Sequence, residues 1–95
     1  MVLGILSVEL FFPENGSLKE KRQYLRSIKD RVRSSLNVSV AEIDHHELWQ
    51  RAQLAFACVA VEKAIAEDTI QKAIKLLDRH YPEFIIGMQT NYLKL

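Results

Sequence analysis

Apolar residues alternate along the first stretch of the chain. Val2, Leu6, Val8, Leu10 and Phe12 share one parity, while Leu3, Ile5, Ser7, Glu9 and Phe11 share the other. A period of two with one wholly apolar side predicts a strand over Val2–Phe12, central in a sheet. Pro13-Glu14-Asn15-Gly16 predicts a turn, with Pro fixing φ and Gly admitting an unusual backbone angle. The period then changes. Over Ser17–Leu36, the residues Leu18, Leu25, Ile28, Val32 and Leu36 fall on one side of a 3.6-residue helix. Ser17 and Glu20 have the capping-box spacing, in which the serine oxygen accepts an early amide and the glutamate reaches back.

Asn37 breaks the helical pattern, and Val38–Ile43 predicts a second strand. Its apolar parity changes between Val40 and Ile43, as at a bulge or a strand end. Asp44–Arg51, DHHELWQR, is a polar connection with one tryptophan. Ala52–Val61 predicts a third strand that is apolar in both parities, so both of its faces should be covered, by the domain itself or by a partner. Glu67–Tyr81 predicts a second helix with Ile70, Ala73, Ile74 and Leu77 inward and Pro82 as its stop. Phe84–Leu93 is the last strand, with Phe84, Ile86, Met88 and Tyr92 in one parity. The order is βαββαβ. Two right-handed βαβ crossovers in that order give an α+β, ferredoxin-like sandwich: a four-stranded antiparallel sheet with both helices on one face. The 95 residues suit one such domain spanning 1–95.

Charge changes the picture because it is unevenly placed. The formal net charge is only +1, which by itself argues against a partner made of nucleic acid. Residues 17–36, however, hold seven Lys or Arg against two Asp or Glu, a balance of +5 that leaves −4 for the rest of the chain. Lys19, Arg22, Arg26, Lys29 and Arg33 recur at steps of three and four, forming one cationic stripe beside the apolar side of the helix. Such a stripe can track a phosphate backbone, with Arg holding phosphate oxygens bidentately. The plainer reading is a solvated helix side, since Lys and Arg are good helix formers. Glu20 and Asp30, the acids of this helix, stand off the stripe, which favours binding.

Other candidates carry less. Trp49 is expected to fold back over the end of the core; as a loop aromatic it is also, with Arg51, a candidate contact for a base or a partner. Arg51 is expected to pair locally with Glu42 or Asp44. His45 and His46 are adjacent, so on extended chain they point apart and suit one metal ion poorly; His80 is the only other histidine. The letters DHH also occur in a phosphoesterase signature, but the further acidic motifs of such enzymes are missing. His80 fits the cationic end of its helix. Cys58 is the only cysteine, which excludes an internal disulfide, favours an intracellular chain and reads as an inert core thiol. The apolar start lacks a cationic lead and is interrupted by Glu9, so neither a signal peptide nor a membrane span is expected.

The segments VLGILSVEL, SLKEKRQYLRSIKDRVR and NVSVAEIDHHELWQRAQLAFACVAV together resemble the YlxP-like family of small bacterial proteins. The resemblance covers nearly the whole chain and is weakest over the last helix and strand. Lys21, Arg22, Asp44, Trp49, Gln50 and Arg51 are the positions that match its signature; His46 stands where a more variable polar residue is expected. The resemblance implies a ferredoxin-like fold and, because genes of this family lie among those for translation initiation and ribosome maturation, a role near RNA or the ribosome. It supplies no catalytic residues.

Within this fold, sheet-face RNA recognition needs spaced aromatics, and the third strand offers only Phe56. A phosphate-cradling arginine after the first strand is absent, since that loop reads Pro13-Glu14-Asn15-Gly16. The expectation is therefore a cytoplasmic, non-enzymatic binding protein without cofactor, metal, membrane or small-molecule ligand. Its partner would be RNA or a ribosomal particle, bound through Lys19, Arg22, Arg26, Lys29 and Arg33. The alternative is a homodimeric protein-interaction module with no nucleic-acid role, its apolar sheet surface buried between copies.

Overall fold

The computed structural model describes residues 1–95. Its elements run β1 (Val2–Phe11), α1 (Leu18–Ser35), β2 (Ser39–Asp44), β3 (Arg51–Ala60), α2 (Lys63–His80) and β4 (Ile85–Lys94). The strands form one sheet in the order β2-β3-β1-β4, every neighbour antiparallel. This is the expected ferredoxin-like arrangement. β1 and β3 are the two inner strands, each with one wholly apolar parity buried under the helices. Leu6, Val8 and Leu10 of β1, Leu54 and Phe56 of β3, Ile28 and Val32 of α1, and Ile70 and Leu77 of α2 are all fully buried between sheet and helices. No helix is long and apolar enough to cross a membrane.

Three neighbouring rows of α1 meet three different surroundings. The inward row, Leu25, Ile28 and Val32, enters the core, and Lys21 is buried in line with it. One row to one side, Tyr24 stacks on Phe12 at 5.0 Å and meets Phe84 edge-on at 5.2 Å. In that same row Ser27 Oγ lies 3.0 Å from the Tyr81 hydroxyl, which also accepts from Arg31 Nε at 3.0 Å. These contacts tie α1 to the C-terminal end of α2 and explain why Arg31 stands apart from the other cations. The opposite row holds Lys19, Arg22, Arg26, Lys29 and Arg33.

Several local expectations need correction. Ser17 Oγ does accept from the Glu20 amide at 3.1 Å, but the Ser17 amide lies 3.5 Å from Asn15 Oδ1 instead of turning to the Glu20 side chain. Gly16 has no unusual backbone angle; the only positive φ in the chain is at His45, 63°. α2 starts one turn earlier than expected, at Lys63, because Ala64, Ile65 and Ala66 extend its helical pattern and Ala66 is buried. In β2 the register shifts between Glu42 and Asp44, so Ile43 is the bulged residue foreseen near that point. A second bulge falls in β4. There Ile85 pairs with Leu10 and Gly87 with Glu9, which turns Ile86 outward, 54% exposed, and gives its inward place to Ile85.

The third strand is covered on one face only. Ala52, Leu54, Phe56 and Cys58 are buried under the helices, whereas Ala55, Ala57 and Val59 lie on the open face, Val59 being 64% exposed. No part of this chain covers that side.

Sheet and α2 approach closely at Gly4. A Cβ there would stand 3.1 Å from Cys58 Sγ, 3.2 Å from Ile70 Cγ1 and 3.3 Å from Ala66 Cβ. Gly4→Ala therefore overpacks a site hemmed in by helix and strand side chains. It should destabilise the fold by about 1 to 3 kcal/mol in urea unfolding, with little change in m-value.

Candidate nucleic-acid interface

α1 and β2 leave a groove between them, because β2 is an edge strand with no neighbour on its outer side. Arg22, Arg26, Lys29 and Arg33 line this groove of about 300 Å³, together with Leu25 and Glu42. Four of the five stripe residues thus share one surface. Lys19 is exposed on the first turn, outside it. Along the helix the four cations are spaced by about 4.5 to 6 Å, from a rise of roughly 1.5 Å per residue. Arg33 is held on its outer side by Asp30 at 3.1 Å, an exposed i,i+3 pair that a stronger anion can displace.

Glu42, the single acid of the groove, is already engaged. It points toward the helix layer from the parity of Val40, and its Oε2 lies 2.9 Å from the ammonium of Lys21. Lys21 is 2% exposed. Its Nζ also donates to the carbonyls of His45 at 2.7 Å and Leu48 at 2.8 Å. Two hydrogen bonds and one ion pair hold the ammonium. A buried ammonium is tolerated only when it is paired and hydrogen-bonded in this way. The sequence reading passed over Lys21 as a functional residue, although a signal was present: Leu18, Lys21, Leu25, Ile28 and Val32 are spaced three, four, three and four apart, which sets this lysine on the inward row.

The connection between β2 and β3 is fixed along its main chain. Besides the two carbonyls held by Lys21, the Trp49 carbonyl accepts from the buried Asn15 side chain. The Gln50 carbonyl accepts from the Phe12 amide at 2.8 Å, and the Gln50 side chain donates back to the carbonyls of Pro13 and Asn15. The side chains of Leu48 and Trp49 take no part in this. Trp49 is 54% exposed and Leu48 48%, so Trp49 does not cover the end of the core. With Glu47, Gln50 and Arg51 these two line a shallow hollow of about 380 Å³.

Arg51 pairs with neither Glu42 nor Asp44. Its Nη2 donates to Glu9 Oε2 at 3.3 Å on the open face of the sheet, and His45 Nε2 lies 3.3 Å from the same oxygen. The alternation of β1 placed Glu9 on that face, but only the left-handed turn at His45 brings the imidazole to it. His46 instead contacts the Glu42 carbonyl at 3.1 Å, so the two histidines serve different partners. No three His, Cys, Asp or Glu side chains converge as metal ligands would. Burial holds the Cys58 thiol above its usual range, partly offset by a backbone hydrogen bond from Gly4. At His80, desolvation and then the Arg31 and Arg79 guanidiniums hold the imidazole below its usual range; Arg79 and His80 both lie in the last turn of α2.

The architecture defines a ferredoxin-like α+β protein whose distinctive surfaces are a cationic groove and a pinned loop. Residues 3–90 match the family described as Protein of unknown function (DUF503), and the chain belongs to that family. It is 34% identical over 82 residues to the uncharacterized protein YlxP of Bacillus subtilis (strain 168), covering 86% of this chain and 88% of that one. Among solved structures it is similar to a dabb family protein with a ferredoxin-like fold from Mesorhizobium loti, with TM-score 0.58, 9% identity and coverage of 99% and 96% of the two chains. It is also similar to SnoaB, a cofactor-independent oxygenase from Streptomyces nogalater, with TM-score 0.56, 4% identity and coverage of 99% and 92%. At such identities the likeness is one of fold.

Replacing Lys21 by Met keeps most of the buried stem and removes the charge. It strands the Glu42 carboxylate and two loop carbonyls, so Lys21→Met should destabilise the protein by about 3 kcal/mol or more. Hydrogen exchange of amides 45–50 should accelerate beyond what the global loss accounts for, a difference readable by mass spectrometry under native conditions.

Proposed function

We propose that this protein binds RNA, free or within a ribosomal particle, through the groove between α1 and β2, and does no covalent chemistry there. Arg22, Arg26, Lys29 and Arg33 contact phosphates, and Lys19 extends the positive field beyond the groove. The observation that carries this reading is the convergence of four cations on one groove whose single carboxylate is occupied by a buried lysine. A merely solvated helix face calls for no such arrangement: cations there alternate with acids or point into open water. Arginine supplies three of the four groups, which suits bidentate contact with phosphate oxygens. The family resemblance, with its genes set among those for ribosome maturation, supports the same class of partner.

A second reading rests on the open sheet face. Val59, Leu3 and Leu93 are register partners across three adjacent strands, and Ala57 and Ile5 form the next row. This apolar end suits a second copy of the chain, with the Glu9, Arg51 and His45 cluster at the other end. Sedimentation equilibrium of the wild type should show a dimer, and Ile5→Lys a folded monomer. A monomeric wild type at high micromolar concentration overturns this reading and leaves the groove untouched.

The principal reading is tested by fluorescence anisotropy of a labelled single-stranded oligoribonucleotide at several salt concentrations. Four phosphate contacts give a slope of log K against log salt of about −2.8. The double variant Arg22→Glu with Arg26→Glu should weaken binding by roughly tenfold or more and bring the slope to about −1.4. Affinity that is independent of salt, or unchanged in the double variant, overturns it.

A further inference from the structure

The polar groups that fix residues 45–50 are spent on a loop that buries no large side chain of its own. Lys21 carries its ammonium into the interior to hold two of the loop carbonyls, and the buried Asn15 holds a third. In a loop that served the core, the tryptophan would lie beneath this scaffold. Here Leu48 and Trp49 stand on top of it. The backbone is held still while the aromatic is presented to solvent, which is the form of a preorganised contact residue.

The position of the loop decides what it contacts. β2 runs antiparallel to the path of α1, from the Arg33 end of the groove back to the Arg22 end, and passes directly into residues 45–50. Lys21, bonded to the loop, is the immediate neighbour of Arg22. A strand laid along the cations therefore runs toward the loop that carries Trp49. At that point the surface changes character: the hollow is lined by Leu48, Trp49, Gln50, Glu47 and Arg51, and the Glu47 carboxylate repels a phosphate but can accept from a base amino group. A base stacks well on an exposed, immobilised indole, and only an unpaired base can reach it. Resting on the RNA reading of the groove, we infer that Trp49 is a stacking platform for an unpaired base at the end of the bound strand, which makes the ligand single-stranded RNA and not a duplex.

Trp49 is the only tryptophan, so its fluorescence reports on this hollow alone. A single-stranded oligoribonucleotide of mixed A and C should quench it, and the same sequence in a duplex should bind more weakly and leave it unquenched. In anisotropy titrations Trp49→Ala should lose about tenfold in affinity or more, Trp49→Phe should retain most of it, and both should keep the wild-type salt slope because no phosphate contact is removed. Unchanged circular dichroism and melting establish that the variants are folded, as expected for a side chain outside the core. Salt-dependent binding with no quenching, with Trp49→Ala equal to wild type, or with the duplex preferred, overturns the stacking role while the groove stands. Leu48 and Trp49 would then be a contact for protein. Absence of binding to either nucleic acid removes the groove reading as well.

Discussion

The ammonium of Lys21 is the interaction on which the rest of the surface depends. It ties three elements at one point: the second turn of α1, the carboxylate of Glu42 on β2, and the carbonyls of His45 and Leu48 in the loop that follows. Each tie has its own consequence. The contact with Glu42 neutralises the one acid that would spoil the groove. The two carbonyl bonds set the loop conformation, including the left-handed backbone at His45 that brings its imidazole to Glu9. Burying a charge is expensive, and a hydrophobic residue of similar volume often serves stability as well. The retention of a lysine in a row otherwise made of Leu25, Ile28 and Val32 is therefore better explained by the geometry it imposes than by the stability it adds.

How much of this could be read from the chain depended on whether the deciding contact was local. The strands, both helices and the βαββαβ order followed from periodicity, and the cap at Ser17 from a short-range motif. The errors lie where one residue out of register changes the outcome. Ile86 has the parity of Met88, but the bulge opposite Glu9 turns it outward, and nothing in Phe84-Ile85-Ile86-Gly87 marks which isoleucine is displaced. Trp49 was legible as a loop aromatic but not as an exposed one, because its exposure follows from bonds made by Asn15, 34 residues earlier, and by Lys21. Arg51 had Glu42 and Asp44 close in sequence, yet its partner is Glu9, brought near by the antiparallel pairing of β1 and β3. The stripe itself was visible. That it splits into four residues in a groove and one outside required the position of β2.

The division of α1 into rows shows how one helix serves both core and surface. Its inward row is committed to burial, and the row bearing Tyr24, Ser27 and Arg31 to the aromatic cluster and Tyr81. The third row makes no contact that the fold requires. Arg22, Arg26 and Lys29 have no carboxylate partner, and Arg33 has only an exposed one. Side chains free of structural duty can be matched to an external ligand at little cost in stability. The inverse holds for Lys21, one residue before Arg22, which is wholly committed inside.

A net charge of +1 does not weigh against a polyanionic partner once the charge is located. The excess of +5 over residues 17–36 is offset by −4 distributed over the remainder of the chain. At physiological salt, interactions between exposed charges fade over about 8 Å, so a phosphate entering the groove responds to Arg22, Arg26, Lys29 and Arg33 far more than to acids across the molecule. The distant acids still act at longer range and lower salt. A uniformly basic protein of this size would coat nucleic acid indiscriminately. Here the positive charge is grouped instead: four cations line the groove between α1 and β2, and Lys72, Lys75 and Arg79 form a second, smaller group beside Ser35.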